Sequence, residues 1–360
     1  MEQIVTTIFE AAADLKALAT GNPHIPVLLH GAPGVGKTAA IESLAHELGI
    51  GYIDLRLAQM EPSDLGGIPI PNGDTLRYLR PDRLPMADRD GEAGILVLEE
   101  VTAARTAVQV AAYSLVLERR LPNCDYHLPD KWMVVATGND KRDRAGAGTM
   151  SSALANRFLH YTVGVDVPAW SVWANAHGIR PEVTAFINAR PNLLHSMKDQ
   201  DVEFGWPSPR SWENVSKLLN AGVSRQAAIA GLIGPSAAAE FRAFVDDAQE
   251  LALVRTWMAD DSVPIEIPQK SDRKYAIAVA MSYHVWHPGD DASQDQLLNG
   301  WFRILEKLDG AFSALAITLA YEDTNAKEQA RKASVLYRHP KSAGFKAKFA
   351  EMNKIRSFTI

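Results

Sequence analysis

The stretch LLHGAPGVGKTAA, Leu28 to Ala40, constrains this chain more than any other part of it. A short apolar run, IPVLLH over 25–30, leads into a glycine-rich turn. Lys37 then opens a helical pattern that runs to about Leu48, with Gly49 as its stop signal. The turn itself, Gly31-Ala32-Pro33-Gly34-Val35-Gly36-Lys37-Thr38, fits G-x-x-x-x-G-K-[ST]. Glycines let backbone N–H groups turn inward at a helix N-terminus, where the peptide dipoles favour an anion, so the loop is suited to cradle phosphate oxygens. Lys37 would then reach β- and γ-phosphates, and the Thr38 hydroxyl would hold Mg²⁺. The plain alternative, a glycine cluster in an ordinary loop, does not require a strand before it and a helix after it. This sequence supplies both.

The rest of the first half continues the alternation. Residues 2 to 19 place Ile4, Val5, Ile8, Ala12, Leu15 and Leu18 near helical spacing. GYIDLRL (51–57) alternates like a strand, and GILVLEE (94–100) and KWMVVATGN (131–139) read as buried central strands. A helix is expected between them from Ala107 to Arg119, and FLHYTVGVDVP (158–168) reads as a last strand and an exit. Strands alternating with helices mean a parallel sheet with crossovers. From Pro168 the pattern is almost wholly helical, with a break over Pro264 to Lys270. No internal repeat or low-complexity linker is visible.

Several residues fit hydrolytic phosphate chemistry. Glu99 and Glu100 end a central strand: the first is placed to hold the Mg²⁺ shell, the second to orient water as a base. Two solvated acids at a strand end would look the same without the glycine loop upstream. Asn139 ends the next strand, where an amide can hydrogen-bond a γ-phosphate or the attacking water; Gly138-Asn139 is also ordinary turn chemistry. Arg157 and Arg210 are candidates to stabilise transition-state charge, in cis or from a neighbouring molecule. Arg210 could equally pair with Glu213 near a helix start.

Composition narrows the class. Of 360 residues, 47% are hydrophobic and 22% charged, which suits a globular protein with real cores. The single cysteine, Cys124, excludes an internal disulfide and a thiolate metal cluster, and fits a reducing, cytoplasmic setting. The start has no basic n-region of a signal peptide, and the most apolar late run, Gly310 to Tyr321, is too short for a membrane span. Net charge is −6, yet residues 325 to 360 hold nine Lys or Arg against two Glu, so the body is strongly acidic. Such a body disfavours nucleic acid as a partner, and the basic tail reads first as a solvated helical face.

Taken together, the ordered motifs resemble an AAA+ ATPase of the MoxR-like group. They are Walker A (Gly31 to Thr38), Walker B (Ile95 to Glu100), sensor 1 (Asn139), an arginine finger (Arg157) and sensor 2 (Arg210). AVQVAAYSLVLERRL (107–121), LPDKWMVVATGN (128–139), ALANRF (153–158) and PSPRSW (207–212) sharpen the likeness, which covers about residues 20 to 250. MEPSDLGGIPIP (60–71) resembles the hairpin inserted in that group, which faces the pore or the partner. The resemblance implies a three-layer P-loop α/β core over 1–165, an all-α lid over 166–250 and a C-terminal helical extension over 251–360. It implies a homo-oligomeric ring, commonly hexameric, with ATP and Mg²⁺ between subunits. Lys37, Thr38, Glu99, Glu100 and Asn139 would act in cis, Arg157 would reach a neighbour's γ-phosphate, and Arg210 would sense it from the lid. It also implies a chaperone-like remodeller of a protein client, often working with a von Willebrand factor A domain protein. The chain departs from the group in three places. Glu99 replaces Asp, Thr102-Ala103 replace Asn-Arg so that one polar contact is expected to be missing, and the resemblance does not extend over 251–360.

Two other classes remain open at this stage. A nucleic-acid motor or loader would need a basic pore, for which NDKRDRAG (139–146) is the candidate loop, and would bind DNA in a salt-dependent way. An ATP-gated scaffold with weak hydrolysis would follow from Glu99, and Glu99→Asp separates it from an active ATPase. His284 and His287 in HVWH lack companion acids or cysteines, so packing histidines are expected there rather than a metal site.

Overall fold

The computed structural model describes residues 4–139, 150, 152–197, 205–248, 250–290, 292–343 and 345–346. The loop 140–146 proposed as a basic pore lies outside them, as does the end of the basic tail from residue 347. The chain forms two compact units, 1–165 and 166–360.

In the first unit the elements run β1 (Val5–Thr7), α1 (Ile8–Gly21), β2 (Val27–His30), α2 (Lys37–Leu48), β3 (Gly51–Arg56), α3 (Pro62–Gly66), β4 (Ile68–Asn72), β5 (Thr75–Leu79), α4 (Ala87–Asp90), β6 (Ala93–Glu99), α5 (Thr106–Glu118), β7 (Arg120–Leu121), β8 (Tyr126–His127), β9 (Lys131–Gly138), α6 (Ser152–Ala155) and β10 (Leu159–Gly164). Six strands form one parallel sheet in the order β1-β10-β2-β9-β6-β3. The crossover from β2 to β3 passes through α2, and β9 sits between β2 and β6. The phosphate-loop candidate and the acidic strand end therefore flank the end of β9.

Strand residues alternate between two cores because successive side chains point to opposite faces. Val27, Leu29, Ile95, Val97, Met133 and Val135 pack with Ala11 and Leu15 of α1 and Ile41, Leu44 and Ala45 of α2. Leu28, Leu96, Leu98, Val134 and Ala136 pack with Val108, Ala112, Leu115 and Val116 of α5. This is the three-layer parallel α/β arrangement expected from the alternating pattern.

The N-terminal segment differs from the helix expected over 2–19. Val5-Thr6-Thr7, a β-branched run, pairs with β10, and α1 begins only at Ile8. Thr7 caps it: its hydroxyl accepts from the Glu10 N–H, and the Glu10 carboxylate accepts from the Thr7 N–H. The cap outweighs the apolar spacing upstream of it. Another feature invisible in the periodicity is a stack of register partners. Gly51 lies opposite Gly94, and Gly94 opposite Trp132. A Cβ on either glycine would come within 2.7 Å of the Trp132 ring, so both positions need glycine for the indole to lie across the strands. The hairpin β4–β5 is antiparallel and closes at Asn72 and Thr75, with Gly73 at φ 63°.

The second unit is helical: α7 (Val167–Ala176), α8 (Pro181–Ala189), α9 (Pro209–Asn220), α10 (Gln226–Ile233), α11 (Pro235–Asp247), α12 (Glu250–Ala259), α13 (Ser271–Trp286), α14 (Gln294–Lys307), α15 (Gly310–Tyr321) and α16 (Ala326–Arg338). Its two apolar clusters share elements. Ala276, Val279 and Leu319 join the cluster around Phe186, Trp212 and Phe241, while Ile277, Ala280 and Ile317 join that around Trp257, Trp301 and Phe302. His287 stacks on Tyr283 with ring centroids 4.2 Å apart. Among the described residues no helix is long and apolar enough to cross a membrane.

Candidate nucleotide site

The loop between β2 and α2 carries the glycine motif. Gly34 and Gly36 have φ of 81° and 94°, the left-handed region that side chains avoid. Val35 is buried among the α1 and α2 residues and pins the loop from below. Gly31 cannot carry a side chain, because a Cβ there would lie 2.6 Å from the Val163 carbonyl oxygen. The Gly31 N–H donates to the Gly138 carbonyl at 3.2 Å and so ties the loop to the end of β9.

The N-terminus of α2 is open. Its cap residue, Gly36, offers no side chain, and no acid occupies its first turn. First-turn N–H groups without a capping side chain, at the positive end of a twelve-residue helix, fit an anion. Lys37 is buried, and its ammonium donates to the Gly31 carbonyl at 2.6 Å, the Ala32 carbonyl at 3.0 Å and Asn139 Oδ1 at 3.4 Å. These oxygens are the kind of acceptor a phosphate would supply. The Asn139 contact brings the end of β9 to the loop, as the order of strands requires.

Glu99 and Glu100 end β6 beside β9. Glu99 shares a sheet face with Ile95 and Val97, the face covered by α2, whose first turn carries Thr38. Register sets Arg56 of β3 opposite Glu99, and Arg56 Nε lies 3.3 Å from Glu99 Oε2. The phenol of Tyr52 is pushed above its usual pKa by burial first and then by Asp54, Glu99 and Glu42, with Arg56 opposing. Thr38 and Glu99 together offer a hydroxyl and a carboxylate, hard oxygen donors of the kind Mg²⁺ takes alongside phosphate oxygens. Among the described residues no cluster of three or more His, Cys, Asp or Glu forms an alternative metal site.

Glu100 is exposed and adopts φ 55°, which turns the chain sharply off the strand. That turn is held to β9. The Glu100 N–H donates to Thr137 Oγ1 at 3.3 Å, and the Val101 N–H to the Thr137 carbonyl at 3.0 Å. Thr102, at one of the positions where a polar contact was expected to be missing, in fact makes two: its hydroxyl accepts from the Asn139 N–H at 3.2 Å and donates to the Asn139 carbonyl at 3.3 Å. A threonine hydroxyl both donates and accepts, so one side chain serves both backbone groups, while Ala103 offers no polar side chain. No sequence signal marks this pairing apart from Gly138, whose missing side chain makes room for Thr102.

The arginines are placed differently. Arg157 follows α6, donates to the Ala153 carbonyl and lies over the Tyr113 ring at 4.2 Å. Its Nε is buried and meets no acceptor among the described residues. Arg210 is exposed near the start of α9 in the second unit, behind a Ser208–Ser211 capping box. Glu213, its possible partner, pairs with Lys217 at 2.6 Å.

Residues 26–158 match the family model of the AAA domain, dynein-related subfamily. The match covers the sheet-bearing part of the first unit and resembles an AAA domain there. A midasin from Giardia intestinalis is 30% identical over 166 residues, 44% of this chain but 3% of that protein, so this chain spans a small fraction of its relative's length. NtrX from Brucella abortus, solved in complex with ATP, is 11% identical, covering 92% of this chain and 69% of that one with a TM-score of 0.33. Replication initiator DnaA, bound to AMPPCP and single-stranded DNA, is 11% identical, covering 93% and 92% with a TM-score of 0.35. Likenesses this distant say nothing about function. The matched segment spans the loop, both acidic residues, Asn139 and Arg157; Arg210 lies beyond it.

Proposed function

We propose that the chain is an ATP-hydrolysing AAA+ protein of the MoxR-like group that works as a ring and remodels a protein client. The observation that carries the nucleotide reading is the open N-terminus of α2 with buried Lys37 reaching Asn139. Gly31 to Thr38 would hold the phosphates of ATP, and Lys37 would exchange the Gly31 and Ala32 carbonyls for phosphate oxygens. Mg²⁺, bound by Thr38 and Glu99, would neutralise charge building on those oxygens. Glu100 would accept a proton from water while Asn139 orients that water or the γ-phosphate. Arg157 would serve a neighbouring subunit's site, and Arg210 would belong to a lid within 166–250, with 251–360 as an extension.

A ring of copies, commonly six, is supported by the exposure of Glu100 and by Arg157, which is only partly buried. A surface for a client or for a von Willebrand factor A domain partner is supported by the hairpin β4–β5, where Ile68, Leu76 and Leu79 are exposed. A cytoplasmic location belongs to the same proposal. A second reading, an ATP-gated scaffold with weak hydrolysis, draws on the Arg56–Glu99 contact, which engages one carboxylate oxygen of the metal-binding candidate.

The deciding experiment is ATPase activity per subunit across protein concentration, with Mg²⁺. Activity that rises with concentration means that a neighbour completes the site. Substantial activity independent of concentration refutes the shared site. Tight ATP binding without turnover supports the scaffold.

A further inference from the structure

Thr102 is buried at 7% exposure, and its one hydroxyl closes both backbone groups of Asn139. Its methyl faces Gly138, where a Cβ would come 2.8 Å from Thr102 Cγ2. The rest of its turn is fixed as well. Buried Gln109 of α5 donates from Nε2 to the Val101 carbonyl at 3.1 Å and the Ala104 carbonyl at 3.0 Å. The Ala103 and Ala104 N–H groups both donate to the Glu100 carbonyl. Residues 100–104 are therefore clamped on one side by α5 and on the other by Thr102 and Thr137.

We propose that Thr102 is a positioning residue for hydrolysis, holding Glu100 and Asn139 at a fixed separation. The inference rests on the hydrolytic reading above. Glu100 projects from the turn and Asn139 ends the neighbouring strand, so the two depend on the link between those backbones. The register of β6 with β9 stops at Leu98 and Ala136. Beyond it the strand ends are joined through Thr137 and Thr102. Removing the Thr102 hydroxyl releases the Asn139 backbone while leaving Lys37 and the glycine loop in place. The expected result is slower turnover at unchanged nucleotide affinity.

The test uses the full chain with Thr102→Val, which keeps the shape and loses the hydroxyl, and Thr102→Ser, which keeps the hydroxyl and loses the methyl. T102V should lower kcat roughly tenfold to a hundredfold, the scale of a displaced catalytic group, with the Kd of a fluorescent ATP analogue unchanged. T102S should retain most of the turnover. Amide exchange at Asn139 should speed up in T102V and stay slow in T102S. Wild-type kcat in T102V, equal slowing in both variants, or an affinity loss parallel to kcat would each overturn the proposal. Should T102V fail to fold, Gly138→Ala, which presses on the Thr102 methyl, carries the same kinetic expectation. Absence of turnover in the wild-type protein would instead sink the hydrolytic reading. An Asn139 amide that exchanges equally in wild type and T102V would sink the anchoring by itself.

Discussion

Arg157 offers the sharpest test of a shared site. In this structure it is held by its own chain: one charge-assisted hydrogen bond to the Ala153 carbonyl and a guanidinium 4.2 Å over Tyr113. A hydrogen bond to a charged group contributes about 1.5–3 kcal/mol, and a partly exposed cation–π contact about 0.5–1 kcal/mol. Releasing the side chain therefore costs about 2–4 kcal/mol. An arginine at a neighbour's γ-phosphate returns roughly 10³–10⁵ in kcat, or about 4–7 kcal/mol. The release is thus compatible with catalysis, and part of its cost should be visible. Tyr113→Leu should raise kcat/KM about two- to fivefold by removing the ring that holds the guanidinium.

The direct assay mixes two inactive variants. Arg157→Ala keeps Glu100 and lacks the arginine, whereas Glu100→Gln keeps the arginine and lacks the base. Each alone should bind ATP and turn it over at least about a hundredfold more slowly than wild type. In a head-to-tail ring, random mixing in equal amounts places an intact Glu100 beside an intact Arg157 at about one quarter of the interfaces. About a quarter of wild-type activity should then return, with a parabolic dependence on mixing ratio. The shared site is falsified if mixing restores nothing while both variants still assemble, or if Arg157→Ala is as active as wild type.

Three further outcomes are expected. Lys37→Ala should weaken ATP binding at least about a hundredfold, near 3 kcal/mol for two lost charge-assisted hydrogen bonds; titration calorimetry that finds the affinity retained would refute the phosphate cradle. Glu99→Asp should leave turnover within about tenfold of wild type if Glu99 already holds the metal competently, whereas a much larger rise in steady-state ATPase would favour the scaffold. His287 and His339 are both pushed below the ordinary histidine pKa, chiefly by burial. Folding therefore favours their neutral forms. Their contribution is complete above the unfolded pKa of about 6.5 and is lost as pH falls through the lower folded values. Thermal unfolding between pH 8 and pH 5 should show that decline, and His287→Gln should flatten it.

The sheet was legible because each central strand carries its own signal. GILVLEE and KWMVVATGN are buried on both faces and read as unbroken apolar runs, and Gly49 marks the end of α2 by itself, with φ 65°. The residues proposed for phosphate chemistry were likewise visible as strand-end and loop residues. Relations between distant segments were not. Gly51, Gly94 and Trp132 make sense only once three strands are in register. Thr102 reads as a departure from a familiar pattern until Asn139 is brought beside it, and β1 hides inside an apparently helical spacing because its partner lies 157 residues along the chain from Val5. Periodicity reports which side of an element is apolar. It carries no record of which backbone groups remain to be satisfied or what satisfies them.

Glu99 shows how those pairings change the reading of a single substitution. A carboxylate has two oxygens and room for several donors. Arg56 Nε approaches Oε2 at 3.3 Å, with the arginine side chain 61% exposed and that of Glu99 12%. The guanidinium also lies 3.7 Å from Asp54 and is open to solvent, which screens the contact from its side, so a divalent cation can compete with Arg56 for the carboxylate. Register sets Arg56 beside Glu99, and the extra methylene of Glu lengthens the reach of that carboxylate from the strand end. An Asp at 99 would shorten that reach. A change in turnover on Glu99→Asp can therefore come from metal geometry or from loss of the Arg56 contact, and Arg56→Gln separates them. If Arg56→Gln reproduces the change, the guanidinium restrains the carboxylate. If it does not, the length of the side chain at 99 sets the rate directly.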